Sequence, residues 1–201
     1  MPLRPTILLV TALLGLTQCI MQGESYYPVQ PMPDATQTGA NTAGCVVDGL
    51  PWVANLYDTT IGVPVIGPVT ASWDNVSVHR PSLSLCFLKN IADEAQVHNN
   101  TKVELEVPGV TRPGTFVLDQ QPPRTSGGGP IGYASFTFYK RNPNQPLLTG
   151  PGSPGRMVVT RFDTLARVVS GTFEFTARAA TGAATGPAMV RVTEGRFDCK
   201  F

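Results

Sequence analysis

The chain has 201 residues, a formal net charge of +1, 14% charged residues, four cysteines and two histidines. Its 20 glycines and 19 prolines make up about 19% of the chain, against an average nearer 12%, which excludes a helix bundle or coiled coil. A near-neutral chain has no electrostatic reason to seek nucleic acid, and the length suits one domain with an appendage.

The N-terminus carries Arg4 and then an uncharged apolar run from Thr6 to Leu16. About 11 apolar residues fall short of the roughly 20 that span a hydrocarbon core, so residues 1–18 read as a signal peptide. Leu16-Thr17-Gln18-Cys19 resembles the lipobox of bacterial lipoproteins, although Gln18 stands where a small residue is usual. That resemblance implies cleavage before Cys19, acylation of its thiol and a membrane partner reached through the lipid anchor. Cleavage there removes Arg4 and leaves 14 basic against 14 acidic residues.

Residues 19–43 show no periodicity and are rich in Pro and small polar residues, which predicts a disordered tether. From residue 44 to 201 the signals are those of strands. Asp48-Gly49 suits a tight type I′ turn. Alternation predicts strands over 82–88, 101–107, 133–139 and 167–178, with runs of β-formers at 115–118, 157–162 and 189–201. In the last run, Val190 and Val192 share one parity while Phe197, Cys199 and Phe201 take the other. One extra residue near Glu194-Gly195, a β-bulge, reconciles them. Residues 90–98 suit a turn or two of helix, and 121–130 and 141–155 read as long loops. The expected fold is all-β: a single antiparallel sandwich or barrel.

Two segments carry a family resemblance. Gly44-Cys45-Val46-Val47-Asp48-Gly49-Leu50-Pro51-Trp52 resembles the opening of uncharacterised Bacteroidetes-type lipoproteins. Gly171-Thr172-Phe173-Glu174-Phe175-Thr176-Ala177 and Thr193-Glu194-Gly195-Arg196-Phe197-Asp198 resemble their closing hairpin. That family has no assigned function, so the resemblance implies location and fold and carries over no catalytic residue.

Catalytic motifs are sparse. There is no Gly-x-Ser-x-Gly elbow, and His79 and His98 have no orienting carboxylate at a telling spacing. Glu94 and His98 share a helical face, but two ligands do not make a zinc site. Gly127-Gly128-Gly129 is followed by Pro130 and a strand, not by the helix a phosphate loop needs. No catalytic residue, metal site or cofactor is expected. Glu104 and Glu106 share one strand face, as a hydrated outer surface or as a carboxylate pair of the kind hydrolases use. Glu194 and Arg196 form either a surface pair or a ligand-facing one. Tyr57 and Trp73, in the irregular stretch 54–76, are the candidate platform for a carbohydrate or protein ligand.

With Cys19 acylated, three cysteines remain, and an exported protein permits one disulfide. All three pairings stay open. Cys45–Cys86 is preferred because Cys199 reads as filling an apolar slot. Together these features predict an exported, lipid-anchored protein of the bacterial cell envelope, at the outer membrane, with a binding or scaffolding β-domain. The alternatives are an envelope hydrolase with carboxylates assembled by the fold, and a structural subunit of an envelope complex.

Overall fold

The computed structural model describes residues 30–56, 67–75, 80–90, 100–122, 131–139, 146–179 and 187–201. Twelve strands follow in order: β1 (Thr42–Val47), β2 (Leu50–Val53), β3 (Asn55–Leu56), β4 (Val69–Asp74), β5 (Ser82–Asn90), β6 (Thr101–Pro108), β7 (Gly114–Leu118), β8 (Tyr133–Phe138), β9 (Leu147–Leu148), β10 (Gly155–Asp163), β11 (Val168–Arg178) and β12 (Met189–Lys200). The described residues contain no helix. Asn90 ends β5, and the rest of the short helix expected over 90–98 lies outside the described residues.

All strands join one sheet, whose main path runs β2-β1-β12-β11-β9-β8-β6-β5-β3. β10 pairs with β11 and β7, and β4 pairs with β5. Among the described residues only the two-residue β3 pairs in parallel, with the end of β5. The sheet curls into a nearly closed barrel. β9 is the splice, since Leu148 pairs with Ser135 of β8 and Arg178 of β11. On the other side β4 lies against β12.

The alternation in the sequence explains the interior. Leu83, Leu85 and Phe87 of β5 and Val103, Leu105 and Val107 of β6 are all buried, with half-buried polar residues between them. The barrel is thus apolar inside and largely polar outside, the inverse of a transmembrane barrel. No helix among the described residues is long and apolar enough to cross a membrane. Phe87 stacks on Phe173 of β11 at 5.8 Å between ring centroids and lies 6.3 Å from Phe197 of β12, joining the two halves. Trp52 is fully buried and its indole N–H donates to Thr101 Oγ1 at 2.8 Å, so the ring brings its own polar atom to a partner.

Two local features agree with the sequence. Asp48 (φ 49°) and Gly49 (φ 85°) form the two-residue turn of the β1–β2 hairpin, with Val47 opposite Leu50. Pro51 costs β2 no pairing, because β2 is the edge strand of the path. The pairing of β11 with β12 jumps from Phe173↔Gly195 to Phe175↔Val192, and that of β1 jumps from Gly44↔Arg196 to Val46↔Thr193. Both shifts locate the bulge at Glu194, whose φ is 53°.

Part of the segment expected to be a disordered tether, residues 19–43, is ordered. β1 begins at Thr42, and residues 33–41 are fastened to β10 and β12 through side chains distant in sequence. Cys19 and residues 20–29 lie outside the described residues.

Candidate functional site

Trp73 packs against other rings of the fold. It is half-buried, meets Phe162 at 5.3 Å and Phe201 at 6.0 Å edge-on, and donates its indole N–H to Val110 O at 2.9 Å. Phe162 and Phe201 themselves stack at 5.5 Å. These contacts make Trp73 a wedge that closes the barrel where β4 meets the ends of β10 and β12. Its proposed partner in a ligand platform, Tyr57, lies outside the described residues, as do His79, Glu94 and His98.

The preferred disulfide is not formed. Cys45, Cys86 and Cys199 are all free thiols. Cys45 points into the core from β1, whereas Cys86 sits on the outward parity of β5, so the barrel wall separates them. Burial pushes the Cys199 thiol up to about 12, with the Asp198 charge adding to it. Burial also raises the Cys45 thiol far above its ordinary value, against a small opposing effect of Lys89. Both behave as small apolar groups rather than nucleophiles.

The outer face of β4, β5, β6 and β8 holds a shallow depression of about 170 Å³, lined in part by Ser84, Cys86, Glu104, Glu106 and Tyr133. Glu106 accepts a short hydrogen bond from the Ser84 hydroxyl. Glu104 accepts from Ser135 Oγ at 3.1 Å and pairs with Lys102 at 2.7 Å. Burial raises the Glu106 carboxyl; the Ser84 and Ser82 hydroxyls work against this, and neighbouring Glu104 adds to it.

A second region of the outer surface holds larger depressions. Two adjoining depressions, about 510 Å³ each, run along the β11–β12 seam and share Arg156 and Glu174. One is lined by Arg191, Thr176 and Thr193, the other by Thr172, Glu194, Arg196 and Ala35. Arg156 donates to Glu174 Oε1 from Nε at 3.2 Å and Nη2 at 2.8 Å, across the exposed ridge between them. Glu194 and Arg196 are not paired with each other: Arg196 Nη1 donates instead to Pro33 O at 3.2 Å. The Glu194 carboxylate has no partner among the described residues, nor does the Arg191 guanidinium. The bulge tilts Glu194 into the trough by forcing it into a left-handed conformation that non-glycine residues rarely adopt.

One end of this trough is walled by the segment held at Asp198. Asp198 is 1% exposed. Oδ2 accepts from Thr36 Oγ1 (2.6 Å), Thr38 N (2.9 Å), Thr38 Oγ1 (3.2 Å) and Ala40 N (3.1 Å). Oδ1 accepts from Gly39 N (2.8 Å) and Ser170 Oγ (2.6 Å). Burial alone would raise this carboxyl, but the Ser170 and Thr36 hydroxyls and the Ala40 and Gly39 amides hold it well below the usual carboxylate range. Sequence reasoning passed over Asp198, because an acidic residue on the outward parity of a strand is ordinary.

Fold and surface together define an all-β barrel with a polar, charge-alternating trough beside a fastened N-terminal strap. No family model matches the chain, and no curated protein or solved structure was found to be similar to it. Among the described residues no group of three or more His, Cys, Asp or Glu side chains is placed to hold a metal ion.

Proposed function

We propose that the chain is an exported envelope protein, acylated at Cys19 and held at the bacterial outer membrane, whose barrel is a non-catalytic binding domain. On this reading it belongs with the uncharacterised Bacteroidetes-type lipoproteins that its two end segments resemble. The observation that carries the binding role is the trough. Glu194 stands unpaired and strained beside Arg196 in one depression, and Arg191 stands unpaired in the other. Guanidinium forks, carboxylates and the hydroxyls of Thr172, Thr176 and Thr193 are hydrogen-bonding groups suited to the vicinal hydroxyls of a carbohydrate chain. The Arg156–Glu174 pair across the middle is exposed and adds little stability, so a ligand can break it at small cost.

The test is a panel of soluble oligosaccharides titrated against the mature chain and an Arg191→Ala/Glu194→Ala double variant. Binding weakened at least tenfold in the variant supports the trough. Equal binding by both proteins, or binding of peptides but no glycan, refutes the carbohydrate reading.

A hydrolase reading has one observation in its favour. Glu106, raised by burial, shares the outward face of β6 with Glu104, which gives the depression two neighbouring carboxylates of the kind hydrolases use. Loss of glycan hydrolysis in Glu106→Gln, with glycan binding kept, would favour it over a binding domain.

A further inference from the structure

Asp198 is buried on the outward side of β12, where a charged residue ordinarily meets water. What covers it is residues 36–40, which supply five of its six hydrogen bonds; Ser170 supplies the sixth. Three of those donors are consecutive backbone amides, Thr38 to Ala40, folded around one carboxylate. The segment is shaped for that purpose. Gly39 has φ 76°, and a β-carbon there would lie 2.8 Å from Lys200 Cγ and 3.0 Å from Val168 Cγ2. Further ties flank the carboxylate. Gln37 Nε2 donates to Thr160 Oγ1 at 3.3 Å, Arg161 donates to Gln37 O, Arg196 to Pro33 O, and Lys200 N to Asn41 Oδ1 at 2.8 Å.

We propose that residues 33–41 form a strap clasped by Asp198, and that the clasp makes Asp198 a positioning residue that fixes the strap as one wall of the β11–β12 trough. Ala35 lines that trough, and Pro33 receives the Arg196 guanidinium that lines it too. The clasp also sets where a pull on the N-terminal chain enters the fold: at a buried carboxylate in the last strand, not at the first residue of β1. The strap's fastening depends neither on acylation of Cys19 nor on a ligand in the trough. Only its role as a wall rests on the binding reading, so the two fail separately.

The test is amide hydrogen exchange on the full mature chain, with Thr36→Val/Thr38→Val and Gly39→Ala as variants that leave Asp198 in place. In the wild type, the Thr38, Gly39 and Ala40 amides should exchange as slowly as those of β12. In both variants they should exchange at least tenfold faster, while β5 and β6 keep their protection. Thermolysin should then cut between residues 30 and 41 in the variants and not in the wild type. Side-chain footprinting of Arg196 should increase with the strap freed. Rapid exchange at Gly39 and Ala40 in the wild type overturns the proposal. So does unchanged strap protection in both variants, or strap release that leaves Arg196 footprinting where it was. If Gly39→Ala fails to fold, the threonine double variant decides alone, because it removes two hydroxyls and disturbs no backbone.

Discussion

Replacing Asp198 by Asn keeps the shape of the side chain and removes its charge. Whichever way the amide turns, its NH₂ meets donors. Placed at the Oδ2 position it faces the fixed amides of Thr38 and Ala40; placed at Oδ1 it faces only the fixed amide of Gly39, since the Ser170 hydroxyl can rotate to accept. The second orientation is cheaper and leaves one buried backbone N–H without an acceptor, at about 1–3 kcal/mol. The bonds that remain lose the charged acceptor that made them strong, which adds at least ~1 kcal/mol. Asp198→Asn should therefore cost about 3 kcal/mol. At about 2–4 °C per kcal/mol for a domain of this size, the melting temperature should fall by roughly 10 °C. Urea unfolding followed by tryptophan fluorescence measures the free energy directly, with both Trp52 and Trp73 in the barrel wall. A loss under about 1 kcal/mol would show that the strap leaves Asp198 for water in solution, and the clasp argument would fail.

The remaining predictions use other parts of the molecule. The Asp198 carboxyl is depressed in the fold, so its contribution to stability is full above the unfolded value of about 3.9 and fades as pH falls toward the lower folded value. The stability gap between wild type and Asp198→Asn should accordingly narrow below about pH 4; a gap independent of pH would contradict the charged clasp. Glu106 runs the other way: its raised folded value makes stability fall as pH rises through it, so Glu106→Gln should match or exceed the wild type above the carboxylate range, by urea unfolding at several pH values. Iodoacetamide should modify Cys86 first, with Cys45 and Cys199 protected until the barrel unfolds, as read by peptide mass spectrometry. Trp73→Ala should cost about 3 kcal/mol, the lower end for a buried aromatic, by opening the contact with Phe162 and Phe201. A variant of full stability would return Trp73 to the surface platform.

Where order is local, the sequence is legible. The alternation of β5, β6 and β11, the Asp48-Gly49 turn and the parity break at Glu194-Gly195 depend on neighbours within a few residues, and the barrel reproduces each of them. β4 does alternate, Val69, Ala71 and Trp73 against Thr70, Ser72 and Asp74, so its signal was present in a stretch that reads as irregular overall. β9 was hidden because two residues cannot show a period. The strap was illegible for a different reason. Its proline and small polar residues look like any tether, and the donors that Asp198 gathers from it lie 158 to 162 residues away. The same distance defeats inference about the thiols, since Cys45 and Cys86 both fall in strands and only the closed sheet shows that they face opposite sides of the wall. Trp73 reads as exposed because its ring partners come from β10 and the chain's last residue. The trough stands between these cases. Glu194 and Arg196 were visible as a pair, but that they stay apart follows from Arg196 turning to Pro33 of the strap.

The most direct test is where the protein resides when Cys19 is changed. The full chain and Cys19→Ala would be expressed in a bacterial host and separated into soluble and membrane fractions, with the pellet washed in carbonate. A barrel hung from an acylated Cys19 leaves the wild type in the washed pellet and releases the variant to the soluble fraction. A soluble wild type, or a variant that stays in the pellet, would contradict the tethered binding domain.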